Sequence, residues 1–271
     1  GLGDVYKRQG IGSGLIVPLS TGLISRYFTG KYRTRQFGLS SAITNITLVS
    51  ATMLTGYLAD IDWHLPFVVY FFPIVSFVFS FYLKKDPVSV APVKTNNPGK
   101  INAKHLIGLM AFYGLATYLV VIISFNLPFL MKEYRFDAET SGIIISMFYL
   151  AIVVPGFFLN KILSTFKYLT KCMCLLCIAT GLFLVLISSN VWILGTGAVF
   201  MGLGYGVVQP LIYDQTSKVA TPEKATLALA FVMSMNYLAI LLCPSARQSS
   251  ILSNPYSIFT PSNSLSHSTF P

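Results

Sequence analysis

The sequence predicts an all-α fold, a polytopic bundle of transmembrane helices, and three observations carry that expectation. Only 10% of the 271 residues are charged, 54% are hydrophobic, and the mean hydropathy is +0.67; soluble proteins carry roughly 25% charged residues. So apolar a chain cannot cover its surface with polar groups in water, which disfavours a soluble enzyme, a nucleic-acid binder and a disordered tail. Second, the apolar residues gather into stretches of about 20, the length needed to cross roughly 30 Å of hydrocarbon. They show no strand alternation, and each is about twice as long as a barrel strand requires. Third, the basic residues are concentrated on alternate connections between the stretches.

Eight spans follow in order, near 10–28, 37–59, 65–83, 105–131, 141–160, 170–188, 190–213 and 225–244. The first ends at Arg26, Lys31, Arg33 and Arg35, the second at Asp60 and Asp62, and the third at Lys84 and Lys85. The connection 84–104 holds Pro87, Pro92, Pro98 and Gly99 among lysines, and reads as a flexible linker between two groups of helices. The fourth span stops at Lys132 and Glu133, and the fifth at Lys161. The run 172–213 has no charge at all; Ser188, Ser189 and Asn190 divide it into the sixth and seventh spans. Lys218 and Lys224 precede the eighth.

Alternate connections face opposite sides of the membrane. Fourteen basic residues fall on one side, between Arg26 and Lys224; the other offers only Lys132 and Arg135 beside five acids. The positive-inside rule makes the first side cytoplasmic. The net charge of +10 is therefore a signal of orientation rather than of nucleic-acid binding.

Both ends look foreign to the rest. Residues 4–9 resemble the translation of a transposon end used in preparing sequencing libraries, so the native chain is expected to begin near Gly10. After Pro244 the composition turns rich in serine and proline. Residues 245–271 are expected to be a disordered tail or the product of a one-base frameshift.

An internal repeat organises the spans. Gly10-Ile-Gly-Ser-Gly14-Leu-Ile-Val-Pro18-Leu returns as Gly202-Leu-Gly-Tyr-Gly206-Val-Val-Gln-Pro210-Leu, at a constant offset of 192 residues. Arg26 falls on Lys218 and Thr29 on Thr221 at the same offset. The copies lie six helices apart, an even separation that preserves orientation, so the repeat is a parallel one of six-helix units.

On this topology and repeat the chain resembles the major facilitator superfamily over about 10–244. The resemblance implies two six-helix halves around a central cavity, with the first span as the family's helix four and the last as helix eleven. Residues 10–83 would then be the later part of the N-terminal bundle, 84–104 the central cytoplasmic loop, and 105–244 most of the C-terminal bundle. Helices one to three and twelve would be missing, which explains three spans before the linker and five after it.

The motifs match unevenly. The helix-four arginine falls on Tyr6, and Arg8 has the wrong spacing. The loop motif between helices eight and nine survives as Gly156-x-x-x-Asn160-Lys161, with asparagine where the family has aspartate. The drug antiporters' helix-five motif falls on Thr47, Ala51, Thr52, Thr55 and Gly56, of which only Gly56 matches.

The glycine runs lack the strand before and helix start after that a phosphate loop needs. Gly10, Gly14, Gly202 and Gly206 are better read as positions of close helix packing. Pro18 and Pro210 would bend their helices where gating could use it. Cys172 and Cys174 point about 200° apart on a helix, with no His or acid near to complete a metal site. His64, His105 and His267 suggest no catalytic set.

Polar groups inside spans are more informative, because hydrocarbon penalises them when unsatisfied. The cavity candidates are Asn45, Tyr118, Asn126, Tyr149, Tyr205, Gln209 and Asn236. Asn126 leads, because Pro128 would free a backbone carbonyl nearby. The spans 65–83 and 172–187 are almost purely aliphatic and aromatic, as the resemblance expects of helices six and nine, which face lipid. No ionisable residue lies deep inside a span; Asp214 sits at the cytoplasmic end of the seventh. A coupling carboxylate would lie in the missing helices, or the protein is a uniporter.

The expected function is secondary transport of a small solute by alternating access. Efflux of amphipathic compounds and uptake of a sugar-like solute are both open. A channel would need charged or carbonyl rings, and a membrane-embedded enzyme an intramembrane constellation of His, Asp or Glu. The expected partners are a small-molecule substrate, the lipid bilayer and protons as coupling ion, with no cofactor, metal or nucleic acid. At full length the protein is expected to be a monomer in a bacterial inner membrane, and the 271-residue chain alone is not expected to transport.

Overall fold

The computed structural model describes the backbone of residues 2–62, 64–82, 102–133, 136, 138–187, 190–221 and 224–253. Within it, the side chains at 2–9, 52, 56, 59, 60, 66, 70, 123, 124, 128–133, 138, 139, 141 and 244–253 lie outside the described set. Among the described residues there is no strand. The α-helices are α1 (Leu2–Tyr27), α2 (Gly30–Ile61), α3 (Phe72–Ser80), α4 (Ala103–Glu133), α5 (Ala138–Phe166), α6 (Thr170–Ile187), α7 (Val191–Val219) and α8 (Ala225–Ser253).

Five stretches among the described residues are long and apolar enough to cross a bilayer: Gly30–Thr55, Ala103–Leu127, Gly142–Ile187, Val191–Val219 and Ala225–Cys243. The third, 46 residues long, holds both α5 and α6. A 3₁₀ turn at Lys167–Leu169 separates them, entered at Lys167 with φ 42°. The chain is an integral membrane protein of the helical class.

Most helix boundaries have a local cause. Gly30 opens α2 at φ 55°, a conformation that costs glycine little. The Asn190 side chain caps α7 by accepting the Trp192 N–H at 2.9 Å. The predicted span 65–83 departs from expectation, since it is no single helix. A 3₁₀ helix runs over Leu65–Phe71 before α3 begins. Pro73 is the reason: without an N–H it cannot bond back to the Val69 carbonyl, which accepts the Phe72 N–H instead, in the tighter i→i−3 pattern. At the other end, α8 continues past Pro244, where the composition changes, to Ser253. Asn254 precedes Pro255, and a residue before proline disfavours the helical region.

The core centres on α7, which packs against α5 and α6 and also touches α2, α4 and α8. Glycines bring the backbones together. A methyl group at Gly206 would lie 2.6 Å from the Ile152 carbonyl oxygen of α5, and one at Gly204 would lie 2.8 Å from that of Cys174 in α6. Lipid tails are as apolar as leucine, so such close packing, rather than escape from water, is what draws helices together in a bilayer. Helix α6 buries one stripe, Thr170, Cys174, Ile178, Gly181 and Val185, and exposes most of the rest. The described side chains of α3 are all exposed.

Helices α1 and α2 join this body at one end, while α3, among the described residues, touches only the 3₁₀ helix before it. Gly38 of α2 and Gly156 of α5 cross with each backbone against the other, so that a methyl at Gly156 would meet the Gly38 carbonyl oxygen at 2.7 Å. Gly22 of α1 faces Thr226 of α8. These contacts all lie toward the ends bearing the basic residues. At the opposite end of α1, Gly10, Gly12 and Gly14 have nothing within 4 Å of a would-be side chain, against the expectation that Gly10 and Gly14 mark close packing.

Candidate functional site: a polar seam between α2, α4, α7 and α8

Three residues of α7, Tyr205, Gln209 and Tyr213, are spaced four apart and so share one helical face. On α4, Tyr113 and Thr117 have the same spacing. The two stripes meet. The Thr117 hydroxyl donates to the Asn236 carbonyl oxygen at 2.8 Å and lies 3.2 Å from the Tyr205 hydroxyl. Tyr205 also donates to Asn236, at 3.3 Å. The buried Tyr113 and Tyr213 hydroxyls are 3.2 Å apart, with their rings packed edge to face.

One step further, the Gln209 amide nitrogen donates to the Tyr213 hydroxyl at 3.4 Å, while its carbonyl oxygen accepts from Ser41 of α2 at 3.4 Å. Asn45, one turn along α2 and buried, donates to the Ser41 backbone carbonyl at 2.8 Å. Polar side chains thus run from α8 through α4 and α7 to α2. Buried polar groups cost about 1–3 kcal/mol each when left unpaired, so these helices hold one another in register.

Toward the basic end the seam finishes in an ionic lock. Asp214 of α7 is 1% exposed. Its Oδ1 accepts from the Arg33 Nε of α2 at 3.1 Å, and its Oδ2 lies 2.5 Å from the Lys218 Nζ one turn on. Phe37 of α2 stacks edge-on against Tyr213 just inside it. Asn160 of α5 adds a third tie, donating its amide to the Lys31 backbone carbonyl at 3.1 Å.

The seam collects four of the seven cavity candidates: Asn45, Tyr205, Gln209 and Asn236. The other three lie elsewhere. The Asn126 amide donates to the Ile122 carbonyl one turn back on its own helix. Tyr118 lines a separate apolar groove between α4 and α8, with Gly114, Met235 and Leu238. Tyr149 is half-buried against the core, its ring edge-to-face with Phe148. Among the packing positions, Gly156, Gly202 and Gly206 make close backbone approaches. Pro18 and Pro210 are buried in helices that continue through them. The surroundings of Gly56 and Pro128 lie outside the described residues. Lys161 lies with Asn160 on a cavity at the basic end.

The seam also takes in Ser41, Tyr113, Thr117, Tyr213 and the Arg33–Asp214 pair, none of them among the cavity candidates. Serine and threonine often satisfy themselves on the preceding turn, as Thr216 and Ser217 do here. Only the four-residue spacing of Tyr205, Gln209 and Tyr213 could have drawn Tyr213 into the set. Chemically, the seam offers hydroxyls and amides that can both donate and accept. Among the described residues no three His, Cys, Asp or Glu side chains converge as a metal site would need.

Comparison with known proteins bears on this arrangement. The chain is 25% identical over 207 residues to the class H tetracycline resistance protein of Pasteurella multocida, covering 69% of this chain and 50% of that protein. It is 24% identical over 228 residues to the quinolone resistance protein NorA of Staphylococcus aureus, covering 78% of this chain and 57% of that one. It therefore spans about half the length of the curated relatives it matches. The family model of the Major Facilitator Superfamily matches residues 9–244, which take in the glycine repeat, the seam and the ionic lock alike, and the chain belongs to that superfamily.

Proposed function

We propose that the chain is the larger part of a secondary transporter that exports amphipathic compounds across a bacterial cytoplasmic membrane by alternating access. The observation that carries this reading is the seam itself, a continuous run of hydroxyls and amides in an apolar bundle that crosses from α7 to α2 through Gln209 and Ser41. Hydrogen bonds of this kind between transmembrane helices are worth roughly 0.6 kcal/mol on average, weak enough to exchange for bonds to a solute. The names of the two relatives, a tetracycline and a quinolone resistance protein, support efflux of drug-like molecules.

In this reading residues 10–83 belong to one six-helix half and 105–244 to the other, with 84–104 the loop between them. The basic ends face the cytoplasm, and the Arg33–Asp214–Lys218 lock holds that side closed. Helices equivalent to α5 and α6 would cover the bare glycine face of α1 in the complete carrier. Protons are the coupling ion, and their carboxylate belongs to that missing part.

A second reading, uptake of a sugar-like solute by a uniporter, is favoured by one feature: hydroxyls and amides without a carboxylate suit a polyol. Both readings are tested by flux into vesicles carrying the complete protein. Efflux predicts saturable movement of a fluorescent amphipathic cation that an imposed pH gradient accelerates and that Gln209→Ala reduces by roughly tenfold, about 1.4 kcal/mol. Saturable glucose entry indifferent to pH would replace efflux by uptake, and flux linear in concentration for both probes would end both readings.

A further inference from the structure

At the basic end, beside the lock, a cavity of about 590 Å³ opens between α2, α5 and α7. Lys31 and Thr34 line it from α2, Asn160, Lys161 and Ser164 from α5, and Lys218 from α7. The charges there are unbalanced. Lys218 shares the Asp214 carboxylate with Arg33, whereas among the described residues no acid lies within ion-pair distance of Lys31 or Lys161. Four cations therefore face one carboxylate, a net of +3. No acidic residue occurs from 140 to 213, and Asp86 and Glu223, the other acids in connections on this side, lie outside the described residues.

Asn160 sharpens the imbalance. Its amide donates to the Lys31 carbonyl oxygen, which a carboxylate at that position could not do, since it would set oxygen against oxygen. The tie between α2 and α5 thus depends on an uncharged side chain where an acid would have neutralised the lysines. Thr34 and Ser164 add hydroxyls whose protons point to backbone carbonyls, leaving oxygen lone pairs and lysine donors at the cavity. A cleft lined by one sign of charge concentrates counter-ions, and Lys–phosphate contacts are charge-assisted hydrogen bonds.

We propose that this cavity is a binding site for a phosphate-bearing anion, a lipid headgroup or free phosphate, held by Lys31, Lys161 and Lys218. Because Lys31 comes from one side of the seam and the other two lysines from the opposite side, a bound phosphate ties α2 to α5 and α7 and reinforces the closed basic end. Binding stands independently of the transport reading; only its consequence for transport rests on it.

The test uses the 271-residue chain in phosphatidylcholine nanodiscs at constant ionic strength. Inorganic phosphate replacing chloride raises the unfolding midpoint by about 3 °C. The double variant Lys31→Gln/Lys161→Gln loses that shift, and without phosphate it is at least as stable as the wild type because like charges have been removed. Lys104→Gln/Lys167→Gln, equal in charge but away from the cavity, keeps the shift. If discs containing phosphatidylglycerol raise the midpoint and abolish the response to phosphate, the ligand is the lipid head; if the response persists there, it is the free anion. The proposal is overturned by equal shifts in the two double variants, by no shift with either probe, or by a Lys31→Gln/Lys161→Gln protein less stable than wild type in chloride.

Discussion

The two copies of the glycine repeat carry the same residues into opposite surroundings. In α7, Gly202, Gly204 and Gly206 lie against the backbones of α5 and α6, with room for no further atom. In α1, Gly10, Gly12 and Gly14 touch nothing within 4 Å. A glycine run is thus a permission for close approach and not a contact in itself. The same contrast runs along the molecule. At the basic end the helices of 10–83 meet those of 105–244 through Gly38–Gly156, Ser41–Gln209 and Arg33–Asp214. Toward the other end, Met53, Tyr57 and Ile61 of α2 are largely exposed.

The sharpest way to break the comparison is to fill both copies. Gly206→Val in α7 must displace the rigid Ile152 backbone rather than a flexible side chain, and should destabilise the fold by about 3 kcal/mol. Gly14→Val at the matching position should change stability by less than about 0.5 kcal/mol. Denaturation of the 271-residue chain in mixed micelles, followed by circular dichroism, compares the two; equal losses would mean that the environments do not differ.

The closed end is probed next. Asp214→Asn leaves Arg33, which is 12% exposed, without its buried partner. Removing one member of a buried pair costs about 3–5 kcal/mol, reduced to about 2 kcal/mol here because Lys218 is 58% exposed and can turn to solvent. A double-mutant cycle with Arg33→Gln should recover roughly 1 kcal/mol of coupling, whereas additive losses would show that the lock does not act as a pair.

These outcomes bear on how far the sequence could be read. The bundle was legible because hydrocarbon imposes length and composition, and the repeat because glycine and proline are rare enough for five matches at one offset to stand out. Asn45, Gln209 and Asn236 were legible as amides amid apolar residues. Asn45 and Asn126 each bond a carbonyl one turn back on their own helix, at Ser41 and Ile122; sequence gives polarity, while the facing helix decides the partner. The Arg33–Asp214 pair spans 181 residues and leaves no local pattern. The break from 3₁₀ to α helix within span 65–83 was not legible, because hydropathy does not register the missing N–H of Pro73.

Smaller effects refine the picture within the seam. Thr117→Val removes the hydroxyl that bonds Asn236 and touches Tyr205, and should cost about 1 kcal/mol with α4 and α8 still associated. The smallest lies at the loosely packed end, where the Asp62 carboxylate accepts the His64 backbone N–H at 2.8 Å and sits 2.9 Å from its Nδ1. These bonds hold the Asp62 carboxyl below its ordinary range. The lowered value means that the stabilisation is complete above the ordinary carboxylate pKa of about 3.9 and is lost as pH falls through the folded value. The protection of the His64 amide, its exchange rate relative to the intrinsic rate at the same pH, should therefore be constant from neutral pH down to about pH 5 and fall only in stronger acid. Protection already lost at pH 6 would contradict a turn held by the Asp62 carboxylate.

The most direct test of the account is a distance between the two sides of the seam at the basic end. Spin labels at Tyr32 of α2 and Ser164 of α5, both exposed, report it in lipid discs carrying the complete protein. Alternating access predicts a short distance matching the closed lock without substrate, a second and longer population on adding a transported amphipathic cation, and a shift toward the longer one in Asp214→Asn. A single short distance unaltered by substrate and by Asp214→Asn would contradict a seam that opens, and with it the carrier built on that seam.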